Sequence, residues 1–247
     1  MPKATFVSVV VLAAGLVLAA AGGLFARHQE NAEIERRLGE SARHVQSATE
    51  DRVNRDPAEL ERLARRWEAD GGTPEERWRD DAARYIADQN EIRAIEWADR
   101  DFHIAWVEPL AGNEAALGLD LMFEENRASA LRNAITTRET YTTHSIEFVQ
   151  GGVGFLAFVP LHIDGRFDGL MVAVFDVERL VASFKHTTLG DMVAVTILEG
   201  GVPIVDDGDA ATTNMVFNTS ISLPGSTWMG RFYPNQTLLH QERSLFP

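Results

Sequence analysis

The chain has 247 residues, 45% hydrophobic and 24% charged, which gives enough apolar side chains for at least one buried core and excludes a disordered or fibrous protein. Lys and Arg total 23 against 37 Asp and Glu, a formal charge of −14, which argues against nucleic-acid binding through phosphate neutralisation. Cysteine is absent, which excludes a disulfide framework, a thiolate nucleophile and a thiolate metal site.

The segment from Phe6 to Ala26 holds 21 residues without a charge. At ~1.5 Å rise per residue that is roughly 31 Å, enough to cross a bilayer core. A cleaved signal carries a shorter apolar region of about 7–15 residues, so residues 1–27 read as an uncleaved transmembrane anchor in the inner (cytoplasmic) membrane. From His28 to Pro247 there are 21 basic and 37 acidic residues, a net −16 (21 − 37), and this body is expected in the periplasm.

Residues 28–90 read as a helical stalk and helical cover. Ile34, Leu38, Val45 and Ala48 form one apolar stripe, suited either to a coiled-coil seam that makes a homodimer or to a helix lying on its own domain. Asp56 with Pro57 predicts the N-terminus of a new helix whose face is Leu60, Leu63, Ala64 and Trp67, ending at Gly71 and Gly72. Thr73, Pro74 and Glu76 predict a capping box for the next helix, with Trp78, Ala82, Tyr85 and Ile86 buried.

From Glu91 the apolar period shortens towards 2. Ile92 to Ala98 and Phe102 to Glu108 predict a hairpin, Leu121 to Thr137 a helix, and Thr143 to Gln150, Val153 to Ile163 and Phe167 to Asp176 three further strands. Asp176 predicts a helix cap before Leu180, Val181 and Phe184. Met192 to Leu198, Val202 to Val205, Met215 to Ile221 and Thr227 to Tyr233 predict short strands. The order implies an α+β fold. A PAS-like antiparallel sheet domain at 91–186 is followed by a smaller, membrane-proximal PAS-like subdomain at 187–247.

No catalytic arrangement is visible. The seven histidines lack paired metal-ligand spacing, Gly152 and Gly154 do not form a dinucleotide loop, and no nucleophile elbow is present. The sequence therefore implies neither metal nor cofactor and no enzymatic activity. A cavity between sheet and helix remains, with an unknown small molecule as its ligand.

Trp97 and Trp106, one on each arm of the first hairpin, are candidate cavity walls or ordinary core aromatics. Asn126 and Arg127 lie early in the helix, where Arg127 suits a carboxylate or phosphate clamp or a salt bridge with Glu124. Thr143, Glu147 and Val149 share one strand face. A slip of one residue would turn His144, Ile146 and Phe148 inward instead. Leu156 and Phe158 share a face of the next strand, with Pro160 two residues on. Ligand is expected to order the loop from Pro109 to Gly118 and to shift the sheet against the stalk.

The run from Ile92 to Phe184 resembles the CHASE domain, through IRAIEWADRDFHIAWVEP, GLDL, EENRASALRNA, THSIEFVQ, GFLAFVPLHI and FDGLMVAVFDVERLV in that order. The resemblance implies the extracytoplasmic sensor of a membrane receptor whose output module is a diguanylate cyclase or a histidine kinase. It also implies a long helix followed by two PAS-like domains, with the ligand in the membrane-distal one. In cytokinin-binding members an Asp and a Thr recognise adenine. Aligned on Arg127 and Pro160, those positions hold Asn126 and Phe158, so the adenine-recognising pair is not matched and the ligand class stays open. The rival readings are an anchored envelope protein whose domain binds another protein, and an envelope hydrolase with a dispersed catalytic set.

Overall fold

The computed structural model describes residues 2–148, 151–185, 193–208, 210–211 and 213–244, without the side chains of 2–11, 54–59, 185 and 241–244. The first helix, α1 (Pro2–Asp70), is continuous over 69 residues, or ~100 Å at 1.5 Å per residue. The break predicted at Asp56 and Pro57 is therefore corrected: the helix passes through both residues. Val53 before the proline and Leu60 after it are fully buried in the same core, which holds the two halves in line despite the lost backbone donor. Ile34, Leu38 and Val45 are also buried against the chain's own elements. Of the two alternatives for this stripe, these residues take the packing on the chain's own domain.

Leu12, Leu16, Val17, Leu18, Leu24 and Phe25 are each at least 65% exposed on the N-terminal part of α1. Among the described residues no helix is long and apolar enough to cross a membrane. The side chains of residues 1–11 of the expected anchor lie outside those described.

The second helix, α2 (Glu75–Ala87), begins after Pro74 with no side-chain cap, so the predicted capping box is corrected. Thr73 is buried instead of presenting its hydroxyl as a cap. The strands β1 (Ile92–Ala98) and β2 (Ile104–Glu108) form the predicted hairpin, and α3 (Glu125–Thr137) follows. Of the predicted strand over Thr143–Gln150, the described residues form only the short β4 (Ile146–Glu147), preceded by a separate β3 (Tyr141–Thr142). The long strands β5 (Val153–Ile163) and β6 (Arg166–Asp176) pair over their whole lengths. Helix α4 (Val177–Lys185) is capped by Asp176, whose Oδ1 accepts from Arg179 N at 3.0 Å. The chain continues through β7 (Val193–Glu199), β8 (Val202–Asp206), β9 (Phe217–Leu223), β10 (Ser226–Pro234) and α5 (Gln236–Ser244).

The strands form two antiparallel sheets. The first has the order β2-β1-β6-β5-β3, with β4 also on the β5 edge, and the second has the order β8-β7-β10-β9. Period 2 divides the first sheet into two apolar faces. Ile95, Phe155, Val159, Met171 and Phe175 face α1, α2 and α4, and that core continues along α1 into Val195, Ile197, Trp228 and Phe232 of the second sheet. Ala94, Leu156, Phe158, Leu170, Val172 and Val174 face α3, meeting Ala130, Leu131 and Ala134.

Candidate functional site

The α3 side of the first sheet encloses a cavity of about 100 Å³. Its floor is Arg93 and Glu96 of β1, Ile104 of β2, Leu156 of β5 and Val174 of β6. Arg127 on α3 closes one side, Ile146 and Phe148 another, and the loop over 109–124 gives Asn113, Ala115, Ala116, Leu119 and Leu121. Gly154 is tied to this wall: a Cβ there would lie 2.0 Å from Phe148 Cζ and 2.0 Å from the Phe175 carbonyl.

Two ionisable groups meet in this apolar enclosure. Glu96 shares its strand face with Ala94 and Ala98 and is 5% exposed. Burial pushes its carboxyl up to about 7, with the Arg127 guanidinium acting in the opposite direction. Arg127 lies in the first turn of α3, where the Glu124 side chain caps the helix by accepting from Asn126 N at 2.8 Å and Arg127 N at 3.2 Å. Its Nε is buried without a hydrogen-bond partner, 4.0 Å from Glu124 Oε2. Such a site has a donor and an acceptor at fixed positions and little room, which suits binding a small polar molecule.

The loop over 109–118 is held by hydrogen bonds of its own. Ile104 N donates to Leu119 O at 3.0 Å, Gly118 N to Ile104 O at 2.8 Å, and Asn113 Nδ2 to Pro109 O at 2.9 Å.

Of the residues expected in the site, Arg127 and Leu156 line the cavity. Trp97 and Trp106 do not, but line a separate cleft of about 660 Å³ with Trp67, Arg100 and Asp168. They pair across the hairpin but point to the other face, where their rings lie 4.4 Å apart and pack on Trp67 and Trp78. A bulge at Ala105 puts Ile104 on the cavity side although Trp106, two residues on, faces away, since Trp97 pairs with Trp106 and Ala98 with Ile104. Asn126 is outside the lining and holds the next segment, its Oδ1 accepting from His144 N at 3.1 Å. Thr143 is a buried tie, with Oγ1 accepting from Leu156 N at 3.0 Å. Glu147 is exposed on β4, and Val149 lies outside the described residues. The inward set on this strand is therefore Ile146 and Phe148, the slipped register. Phe158 is fully buried beneath α3, and Pro160 lies by a cleft against Glu61 and Ala64 of α1, away from the cavity. Glu96 was missed, although an acid between Ile95 and Trp97 of an apolar strand was a signal in the sequence.

The cavity wall at 143–148 is fastened to the second sheet through Glu199 at the end of β7. Its carboxylate accepts from Ser145 N at 2.7 Å, His144 Nδ1 at 3.0 Å, Trp228 Nε1 at 3.3 Å and the Ser145 and Ser226 hydroxyls. Burial raises this acid, but the hydrogen bonds from Ser145, Ser226 and His144 outweigh it and hold the group at about 2. A carboxyl lowered on folding stabilises above its unfolded value of 4.5, and that stabilisation is lost as pH falls towards 2. Glu199→Gln should therefore flatten the acid limb of a stability-versus-pH curve between those values. Urea titrations at pH 3 and pH 6 measure it, and an unchanged slope would contradict the role.

Comparison with known proteins agrees with this architecture. The CHASE domain family model matches residues 47–217. No curated protein matches the sequence. Among solved structures, an extracellular ligand binding receptor from Desulfohalobium retbaense DSM5692 aligns with TM-score 0.60 and 17% identity, over 80% of this chain and 39% of that one. The chain thus spans about two fifths of that receptor's length. The ligand binding domain of the Pseudomonas aeruginosa PAO1 amino acid chemoreceptor PctB, in complex with L-Arg, aligns with TM-score 0.55 and 13% identity over 83% of this chain and 96% of that one. That of the Pseudomonas fluorescens chemoreceptor CtaA, in complex with L-serine, aligns with TM-score 0.53 and 13% identity over 84% and 99%. At these identities the likeness is one of fold.

Proposed function

The chain belongs to the CHASE domain family, and from that membership and the cavity at Glu96 and Arg127 we propose that it is the extracytoplasmic small-ligand-sensing region of a membrane-anchored bacterial signalling receptor. The observation that carries the reading is that the buried Glu96 carboxyl and the Arg127 Nε, a buried donor without a hydrogen-bond partner, lie in the wall of one cavity. Burying such groups costs free energy unless something pairs with them, and a bound polar molecule does so. Domains of the same fold with L-arginine and L-serine bound support a ligand of that scale.

The N-terminal part of α1 is the anchor in this reading, because leucines and a phenylalanine left exposed along one helix belong in lipid. The body then lies in the periplasm and binds its ligand without turning it over. Its signal passes to an output module such as a diguanylate cyclase or a histidine kinase.

Thermal unfolding of the full chain against a panel of amino acids and small carboxylates tests the reading. A ligand at 100 times its Kd should add about 2.7 kcal/mol, and Arg127→Ala should remove the shift. A panel without any shift, or a shift that survives in Arg127→Ala, would contradict it.

A further inference from the structure

The bonding capacity left unmet in the cavity specifies more than its size. Glu96 sits in β1 between Val107 of β2 and Val172 of β6, both apolar, and among the described residues its carboxylate makes no hydrogen bond or ion pair. The other charged groups facing the cavity are Arg127 and Arg93. Arg93 lies over the Phe148 ring at 5.1 Å and donates to Gly151 O at 3.3 Å, and Glu124 stands 4.0 Å from Arg127 Nε. One buried acceptor and one buried donor thus stay open together.

Resting on the sensor reading, we propose that the ligand is a small zwitterionic amino acid, its carboxylate accepting from Arg127 Nε and its ammonium donating to Glu96. Glu96 is then the group that determines specificity. A zwitterion brings no net charge to a cavity that already carries Arg127, Arg93 and Glu96. A simple carboxylate pairs with Arg127 Nε but offers nothing that favours the ionised form of Glu96, and a simple amine would leave Arg127 Nε open. Size limits the side chain, since about 100 Å³ is less than the ~150 Å³ cavity that holds benzene.

The pairing also moves a proton. Burial raises Glu96 to about 7, so below that pH the empty cavity holds the neutral acid. Docking of an ammonium group favours the ionised form, and the proton leaves to the buffer.

Calorimetric titration of the full chain at pH 6, in two buffers of different ionisation enthalpy, with L-alanine, propionate and ethylamine tests this. Alanine should bind at least tenfold tighter than either analogue and release close to one proton. Glu96→Gln should abolish the release and bring alanine to the level of propionate. Propionate binding as tightly as alanine, an absence of proton release, or an alanine preference that survives in Glu96→Gln would overturn the assignment. Silence from all three probes while another member of the thermal panel binds Arg127 overturns this inference alone. Silence from the whole panel overturns the sensor reading with it.

Discussion

Trp67→Ala should destabilise the chain by about 3–5 kcal/mol, the range for deleting a large buried aromatic. The Trp67 ring is buried and stacks on Trp97 with centroids 5.3 Å apart, and Trp106 lies 5.9 Å away. Its Nε1 donates at 2.8 Å to Asp168 Oδ2, a buried carboxylate that also pairs with Arg100. The substitution therefore opens a cavity between the end of α1 and the β1–β2 hairpin and removes a donor from a buried acid. Trp67→Phe separates the two effects: it keeps a ring in the stack and loses the hydrogen bond, worth about 1.5–3 kcal/mol to a charged acceptor. Urea unfolding measures both. A loss below about 1 kcal/mol for Trp67→Ala, well short of the usual range, would mean that the four tryptophans do not act as one packed unit.

Glu96→Leu should stabilise the chain at pH 8 and leave it nearly unchanged at pH 4. The Glu96 carboxyl is raised on folding from 4.5 to about 7, so between these values the folded state binds more protons than the unfolded one. Stability then falls as pH rises through that window and levels off above it. The shift corresponds to a cost on the order of 3 kcal/mol at pH 8, at 1.36 kcal/mol per pKa unit. In Glu96→Leu that part of the pH dependence should vanish. Equal slopes for the two proteins between pH 4.5 and pH 8 would show that Glu96 is not held in a desolvated place. The cost is also a reason for the cavity to be a binding site, since a carboxylate kept there at the expense of stability recovers it when a cationic partner arrives.

The strands were the most legible part of the sequence. Ile92–Ala98 and Val153–Ile163 were readable to the residue, because their apolar runs end at glycine, aspartate or polar turns that leave few alternatives. Which face each residue takes was harder. Trp97 and Trp106 pair as the hairpin requires, yet period 2 alone does not say which side the helices cover, and the bulge at Ala105 inverts the parity of β2. The strand expected at Thr143–Gln150 is interrupted by ties from outside it: Asn126 to His144, Thr143 to Leu156 and Ser145 to Glu199. These partners are 13 to 54 residues distant in sequence, beyond the reach of local periodicity. Pro57 misled for a similar reason, since the burial of Val53 and Leu60 on either side is a tertiary effect.

For the site, the helix that carries Arg127 was visible in the sequence, though predicted from Leu121 where it starts at Glu125, while Glu96 was masked by its neighbours. A buried acid in a strand is informative only once the cavity above it is known. Arg127 and Leu156 were found because the helix and strand parity place them, whereas the walls from the loop over 109–124 have no periodic signature.

The most direct measurement is a crystal structure of the full chain with an amino acid that raises its unfolding temperature. The bound molecule should lie beneath the 109–124 loop, within hydrogen-bonding distance of Arg127 Nε and the Glu96 carboxylate, with Ile146 and Phe148 against its side chain. A molecule found instead in the cleft beside Trp67, Trp97 and Trp106, with the Glu96 cavity unchanged, would contradict the assignment of the site.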